Sequence, residues 1–168
     1  KDLLYAGTET GLYLSWNGGK EWSHFQLNLP VTPITDLRVH QGDLIAATSG
    51  RSFWVLDDLS LLRQYKNEEG FKLFQPENPT LVKGSSEMDG SADGTNPYQG
   101  VNPATGLVIY YQLPELKSSE SIAMEIKDAQ GNPVRSFSSA RDTTSGIQIA
   151  DPTLAKSKGL NRFVWNLR

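Results

Sequence analysis

The chain has 168 residues, 38% apolar and 21% charged, with a formal net charge of −3; that balance is that of one medium folded domain or two small ones, not of a disordered segment. The small negative charge argues against a nucleic-acid surface, which needs concentrated Lys and Arg (Lys156 and Lys158 are the nearest approach), and no apolar run approaches the ~20 residues that span a bilayer. Cysteine is absent, so there is neither a disulfide frame nor a thiolate metal site.

Residues 4–8 read Leu-Tyr-Ala-Gly-Thr, and residues 44–48 read Leu-Ile-Ala-Ala-Thr. Each copy continues through a short turn, Glu9-Thr10-Gly11 or Ser49-Gly50-Arg51-Ser52, with one residue inserted in the second. A second strand-like run follows, residues 12–15 or 53–56, and each copy breaks at Asn17-Gly18-Gly19 or Asp57-Asp58. Short runs of aromatic and β-branched residues bounded by Gly, Pro and Asn read as strands. Residues 34–40, after the breaker Pro30 to Pro33, predict the innermost strand of the second copy. Residues 59–65 (LSLLRQY) predict a last outer strand, with one turn of helix as the alternative. The offset fits a four-stranded propeller blade of ~40–45 residues, so about one and a half blades are expected here. One blade cannot bury both faces alone, so the remaining blades are expected from a longer chain or from other chains. Both ends lie inside strand patterns and read as cuts.

Within the first copy, Ser15-Trp16-Asn17-Gly18-Gly19-Lys20-Glu21-Trp22 resembles the Asp-box, the S-x-D-x-G-x-x-W hairpin of bacterial-neuraminidase-type repeat propellers, with Asn for the usual Asp. Asn17 is expected to fold back onto the turn's amides, Gly18 and Gly19 to take positive φ, and Trp22 to plug the turn from beneath. The box residues Ser15, Asn17, Gly19 and Trp22 are thus expected to be a structural fastener; in that family the box lies away from the ligand face. The segments GTETGLYLSWNGGKEW, FQLNLPVTPITDLRVHQGDLIAATSGRSFWVLDDLSLLRQ and KLFQP, with the later GVNPATGLVIYYQL, MEIKDAQGNPVRSFSS and KGLNRFVWNLR, resemble the end of large bacterial sortilin-type, glycosyl-hydrolase-like propeller proteins. In those proteins a small immunoglobulin-like domain, similar to that of flagellar hook-capping proteins, follows the propeller. The resemblance covers most of the chain outside roughly residues 83–96. Where the family usually has a histidine before the closing blade's Gly-Arg, Ser49 stands.

The resemblance and the pattern together predict an all-β chain: a partial β-propeller of the last one to two blades plus a truncated immunoglobulin-like β-sandwich. The expected divisions are residues 1–75 for the terminal blades, 76–103 for a linker or long loop, and 104–168 for the incomplete β-domain. Residues 71–74 are expected as a short strand returning to the propeller's outer edge. In the linker, Asp89, Ser91 and Asp93 have the alternate spacing of a calcium loop's first half, but Gly100 stands where a bidentate Glu belongs; a solvated linker is the expectation, calcium the alternative, and no other cofactor is implied. Beyond it, residues 107–113, 122–127, 134–137, 147–149 and 163–165 read as strands, and Ile122, Met124 and Ile126 share a face.

No catalytic set stands out. Arg38, Arg51 and Arg63 lack the flanking pattern of a sialidase's carboxylate-binding arginines. Asp57 and Asp58 are neighbours, which a strand would point to opposite faces. His24 and His40 have no metal-ligand spacing. Tyr13, Trp16 and Trp54 are candidates to stack on sugars or anchor a partner, with strand packing as the plainer reading. The resemblance implies a non-catalytic, extracytoplasmic bacterial module that binds protein or peptide ligands or its own remaining blades. The alternative is a glycoside hydrolase with its catalytic residues in other blades, and a third is an assembly role through an open strand edge.

Overall fold

The computed structural model describes residues 2–66, 69–78, 104, 106–140 and 152–167. The chain is all-β apart from one five-residue helix among the described residues, and it divides into two units, residues 1–65 and 66–168.

The first unit holds two three-stranded antiparallel sheets. In one, β1 (Leu4–Thr8) pairs with β2 (Gly11–Ser15), which pairs with the short β3 (Ser23–His24). In the other, β5 (Asp43–Thr48) lies between β4 (Ile34–His40) and β6 (Phe53–Leu56). A two-residue turn joins β4 to β5, with His40 paired to Asp43. Gln41 and Gly42 both take positive φ, 49° and 94°, the arrangement whose twist matches that of the strands it connects.

The sheets face each other across a core of Leu12, Leu44 and Leu59, with Tyr5, Leu37 and Leu56 packed against it. Removing each such leucine side chain from water contributes roughly 1.5–3 kcal/mol. Close approach matters at one point: a Cβ on Gly7 would stand 2.6 Å from Ile34 Cγ2, so β1 and β4 come together only because Gly7 has no side chain.

Residues 59–65 do not form the expected outer strand. Ser60–Gln64 is a short helix, α1. Leu59 is fully buried and Leu62 packs against the same core. A spacing of three places both on one side of a helix, whereas a strand would send them to opposite faces. Asp58, at φ 56°, turns the chain into α1, and its carboxylate accepts the Ser60 N–H at 2.9 Å. The backbone N–H of Leu59 donates to Gly42 O at 2.8 Å, fastening the helix start to the β4–β5 turn.

Residues 71–74 differ from expectation as well, since they belong to the second unit and not to the first. There β7 (Lys72–Leu73) pairs with β8 (Leu107–Leu113), and Phe74 N–H donates to Tyr110 O at 3.0 Å. Phe74 is buried, so the segment's apolar content is used in this unit. The first compact unit therefore ends at Tyr65 instead of at residue 75.

On the other side of β8 lies β11 (Gly159–Trp165), making a three-stranded sheet, while β9 (Ala123–Lys127) and β10 (Pro133–Ser138) form a two-stranded one. Both sheets contribute to one core. Ile109, Tyr111 and Leu113 alternate along β8, and Phe163 of β11 meets Phe137 of β10 at 4.7 Å between ring centroids, tilted 57°. Ile122, Met124 and Ile126 pack on this core from the β9 side. The Tyr111 hydroxyl donates to Ala155 O at 2.6 Å, and burial raises its pKa despite that bond. Buried Asn161 satisfies its amide by donating to Ser157 O and Gly159 O. The β9–β10 turn is tied by Asp128, whose carboxylate accepts the N–H groups of Gln130 and Asn132 and the Asn132 side-chain amide; these bonds, that side-chain amide first, lower its pKa. The calcium-like residues Asp89, Ser91 and Asp93, most of the linker, and the strand expected at residues 147–149 lie outside the described residues.

Candidate functional site

Three features of the first unit carry its chemistry: the hairpin after β2, an apolar cavity between the sheets, and a carboxylate cluster at the end of β6.

The hairpin is organised by side chains reaching back to the backbone. Ser15 is fully buried. Its hydroxyl donates to Asn17 Oδ1 at 3.0 Å and accepts the Gly19 N–H at 2.8 Å. Asn17 Oδ1 also accepts the Glu21 N–H at 2.9 Å, and Asn17 Nδ2 donates to Glu21 Oε2 at 3.0 Å. Gly18 and Gly19 take φ of 71° and 92°, a region closed to most side chains. The Gly18 N–H donates to Asp2 O at 2.9 Å, so the turn also holds the entry to β1. Trp22 donates its indole N–H to Gly19 O at 3.1 Å while remaining 44% exposed. It lies along the turn as a partial cover and is not sealed beneath it. On the other flank, the Trp16 indole N–H donates to Leu62 O at 3.1 Å, binding the hairpin to α1. The bonds around this hairpin tie it to itself, to the entry of β1 and to α1.

The cavity has a volume of about 60 Å³ and is walled by Leu12, Leu44, Ala46, Trp54 and Leu56, with residues 25–29 over its mouth. A water occupies ~30 Å³ of liquid, so the space suits two waters or one small aliphatic side chain. The loop is held by Gln26, whose amide nitrogen donates to both Leu29 O and Pro30 O at 2.8 Å. Its Oε1 is buried without a hydrogen-bond partner and faces Gly11, where a Cβ would collide with it; the contact left to it is the weak one from the glycine Cα–H. At the loop's tip Leu27 is 66% exposed with φ 45°, an apolar residue held outward in strained backbone. The Trp54 indole N–H donates to Arg51 O at 2.8 Å, which fixes the ring beside the cavity.

At the end of β6, Asp43 accepts the Asp58 N–H at 2.9 Å, and Asp58 caps the turn into α1. These two carboxylates therefore shape the backbone. Asp57 has no such task. Asp57 is exposed, yet partial desolvation, followed by the charges of Asp43 and Asp58, raises its pKa above the ordinary carboxylate value.

Other residues singled out in the sequence are dispersed. Arg38 lies on β4, Arg51 in the β5–β6 turn and Arg63 on α1; Arg63 lowers the pKa of Tyr5, against the larger raising effect of burial. The Tyr13 ring meets His24 edge-on at 5.1 Å, whereas His40 sits at the far end of β4. Among the described residues, no group of three or more His, Asp or Glu is placed to hold a metal ion. The loop of residues 25–29 was not legible as a site, because its one sequence cue is an unremarkable Asn-Leu-Pro run. No protein-family model, no curated protein and no solved structure matches the chain.

Proposed function

We propose that this chain is a non-catalytic, extracytoplasmic binding module for protein or peptide ligands: the closing blades of a β-propeller, followed by an immunoglobulin-like β-domain. The observation that carries this reading is the apolar cavity between the two sheets of the first unit, rimmed by an outward-held leucine and the backbone of residues 25–29. An aliphatic side chain in such a recess, with polar backbone at the rim to orient the rest, is how extended peptides are anchored. The resemblance to sortilin-type propellers points to the same ligand class.

Selection of displayed random peptides on the full chain, followed by calorimetric titration, tests it. Retained peptides should share one small aliphatic position. Ala46→Leu, which fills the cavity, and Leu27→Asp, at the exposed rim, should each weaken them at least tenfold. Peptides that bind both variants as well as the parent chain would overturn the assignment.

A further inference from the structure

One peptide bond of the hairpin after β2 is chemically fragile. Asn17 is the one asparagine of the chain that precedes a glycine, while Asn78, Asn96, Asn102 and Asn132 precede proline, which has no amide proton to lose. An asparagine before glycine is the pair most open to imide formation, because glycine sets no side chain against the closing ring. The reaction needs only hydroxide and water. Hydroxide takes the Gly18 amide proton, and the nitrogen attacks Asn17 Cγ. The N–Cγ bond forms, the Cγ–Nδ2 bond breaks, and Nδ2 takes a proton from water and leaves as ammonia. Water then opens the imide at either carbonyl. Breaking the new N–Cγ bond gives Asp; breaking the Asn17 backbone C–N bond gives isoaspartate, with the main chain running through the former side chain.

The folded hairpin opposes each part of this step. In the imide, Cγ takes the place of the Gly18 amide hydrogen, because a peptide nitrogen is planar. In the fold that hydrogen points at Asp2 O, 2.9 Å from the nitrogen, so the direction of attack is occupied. The carboxamide is held as well. Its Oδ1 accepts the Ser15 hydroxyl at 3.0 Å and the Glu21 N–H at 2.9 Å, and its Nδ2 donates to Glu21 Oε2 at 3.0 Å. Swinging Cγ onto the Gly18 nitrogen pulls both amide atoms off these partners.

We infer that Asn17–Gly18 is a deamidation site kept silent by its own hairpin and converted only when that hairpin opens locally. Either product then works against reclosure. Asp sets a second carboxylate against Glu21. Isoaspartate adds a carbon to the backbone between Ser15 and Gly19, and so carries the Gly19 and Glu21 N–H groups away from their acceptors. The modification is thus an irreversible record of opening. It rests on bonds among residues 2–21, whatever lies over the hairpin, and is independent of the peptide-binding reading.

Peptide mapping by mass spectrometry tests this on the full chain, incubated at mildly alkaline pH and sampled over time for conversion of Asn17. The native chain should convert more slowly than the same chain in urea by about tenfold or more, since several hydrogen bonds must break together. Glu21→Ala, at an exposed position, should speed the native reaction by about threefold. Ser15→Ala removes the hydroxyl bonded to both Asn17 and Gly19 and should speed it by about tenfold. Both accelerations should disappear in urea. Gly7→Ala lowers the stability of the first unit without touching these bonds, and should change the native rate by less than about twofold if opening is local. Converted chain, separated by its added negative charge, should unfold at a lower urea concentration than the parent. A native rate equal to that in urea overturns the inference, as does an Asn17 that is not converted even in urea. Equal acceleration by Gly7→Ala and Glu21→Ala overturns it too, because conversion would then follow global unfolding.

Discussion

On the proposed likeness to an Asp-box hairpin, Asn17 stands where that hairpin carries Asp, and Glu21 explains why an amide suits this turn. Asn17 Nδ2 donates to Glu21 Oε2 at 3.0 Å while Asn17 Oδ1 accepts the Glu21 N–H. Asn17→Asp would keep the second bond and lose the first, setting two carboxylates against each other. Two like charges ~4 Å apart in water repel by about 1 kcal/mol, and an exposed hydrogen bond adds about 0.5 kcal/mol to the loss. Against this, charge strengthens the bonds from the Glu21 N–H and the Ser15 hydroxyl by about 0.5 kcal/mol. The single substitution should therefore destabilise the first unit by about 1 kcal/mol. In a Glu21→Gln background the repulsion disappears and the amide can donate to the new carboxylate, so the same change should stabilise by about 0.5 kcal/mol. The coupling in the double-mutant cycle is then about 1.5 kcal/mol. Urea unfolding followed by tryptophan fluorescence reads it, since Trp16, Trp22 and Trp54 lie in this unit. In ~1 M salt, where the screening length falls to ~3 Å, the coupling should drop substantially. An equal effect of Asn17→Asp in both backgrounds would refute the reasoning, because then Glu21 has no part in the choice of amide.

Gly7→Ala should cost about 1–3 kcal/mol by overpacking, because the new Cβ meets Ile34 at 2.6 Å with β4 behind it; the urea midpoint checks this, and an unchanged midpoint would show that β1 and β4 move apart freely. Asp57 gives a pH signature. Its folded carboxyl pKa is raised, first by burial and then by Asp43 and Asp58, so the fold favours the protonated form. That contribution is fully present below the unfolded value of ~3.9 and is lost as pH rises through the folded one. Asp57→Asn should accordingly be more stable than the parent chain at pH 7, with the difference vanishing by about pH 3.5; a variant less stable at pH 7 would contradict the assignment.

The sequence is most transparent where structure is local. The Ser15–Asn17–Gly19–Glu21 turn closes through contacts no more than four residues apart, so residue type and spacing are nearly the whole of its physics. The alternation of Ile122, Met124 and Ile126 is likewise enough to orient β9. What escapes a sequence reading depends on distant partners. Residues 59–65 carry strand-compatible leucines, and only a core waiting beside Leu59 and Leu62 makes one turn of helix the better burial. Residues 71–74 look equally suited to either unit until β8 supplies hydrogen bonds. Gln26 gives no hint of its place, because its amide is defined by two carbonyls whose positions follow from the folded loop.

The two copies of the repeat separate strand formation from burial. Phe53 and Leu12 occupy equivalent positions, yet one is 75% exposed and the other 6%. Nothing in the strands themselves explains the difference, since both pair antiparallel with the preceding strand in the same register sense. The first sheet has the second as its neighbour on that face, whereas no described residue of the first unit packs over Phe53. The chain also departs from its own pattern at this end. After β2 it adds the short strand β3, but after β6 it turns through Asp58 into α1, whose leucines seal the core between the sheets. The helix completes the buried side of the stack while leaving the opposite face of β6 open. A large exposed phenylalanine beside a valine on a flat strand pair is an association hazard in an isolated domain.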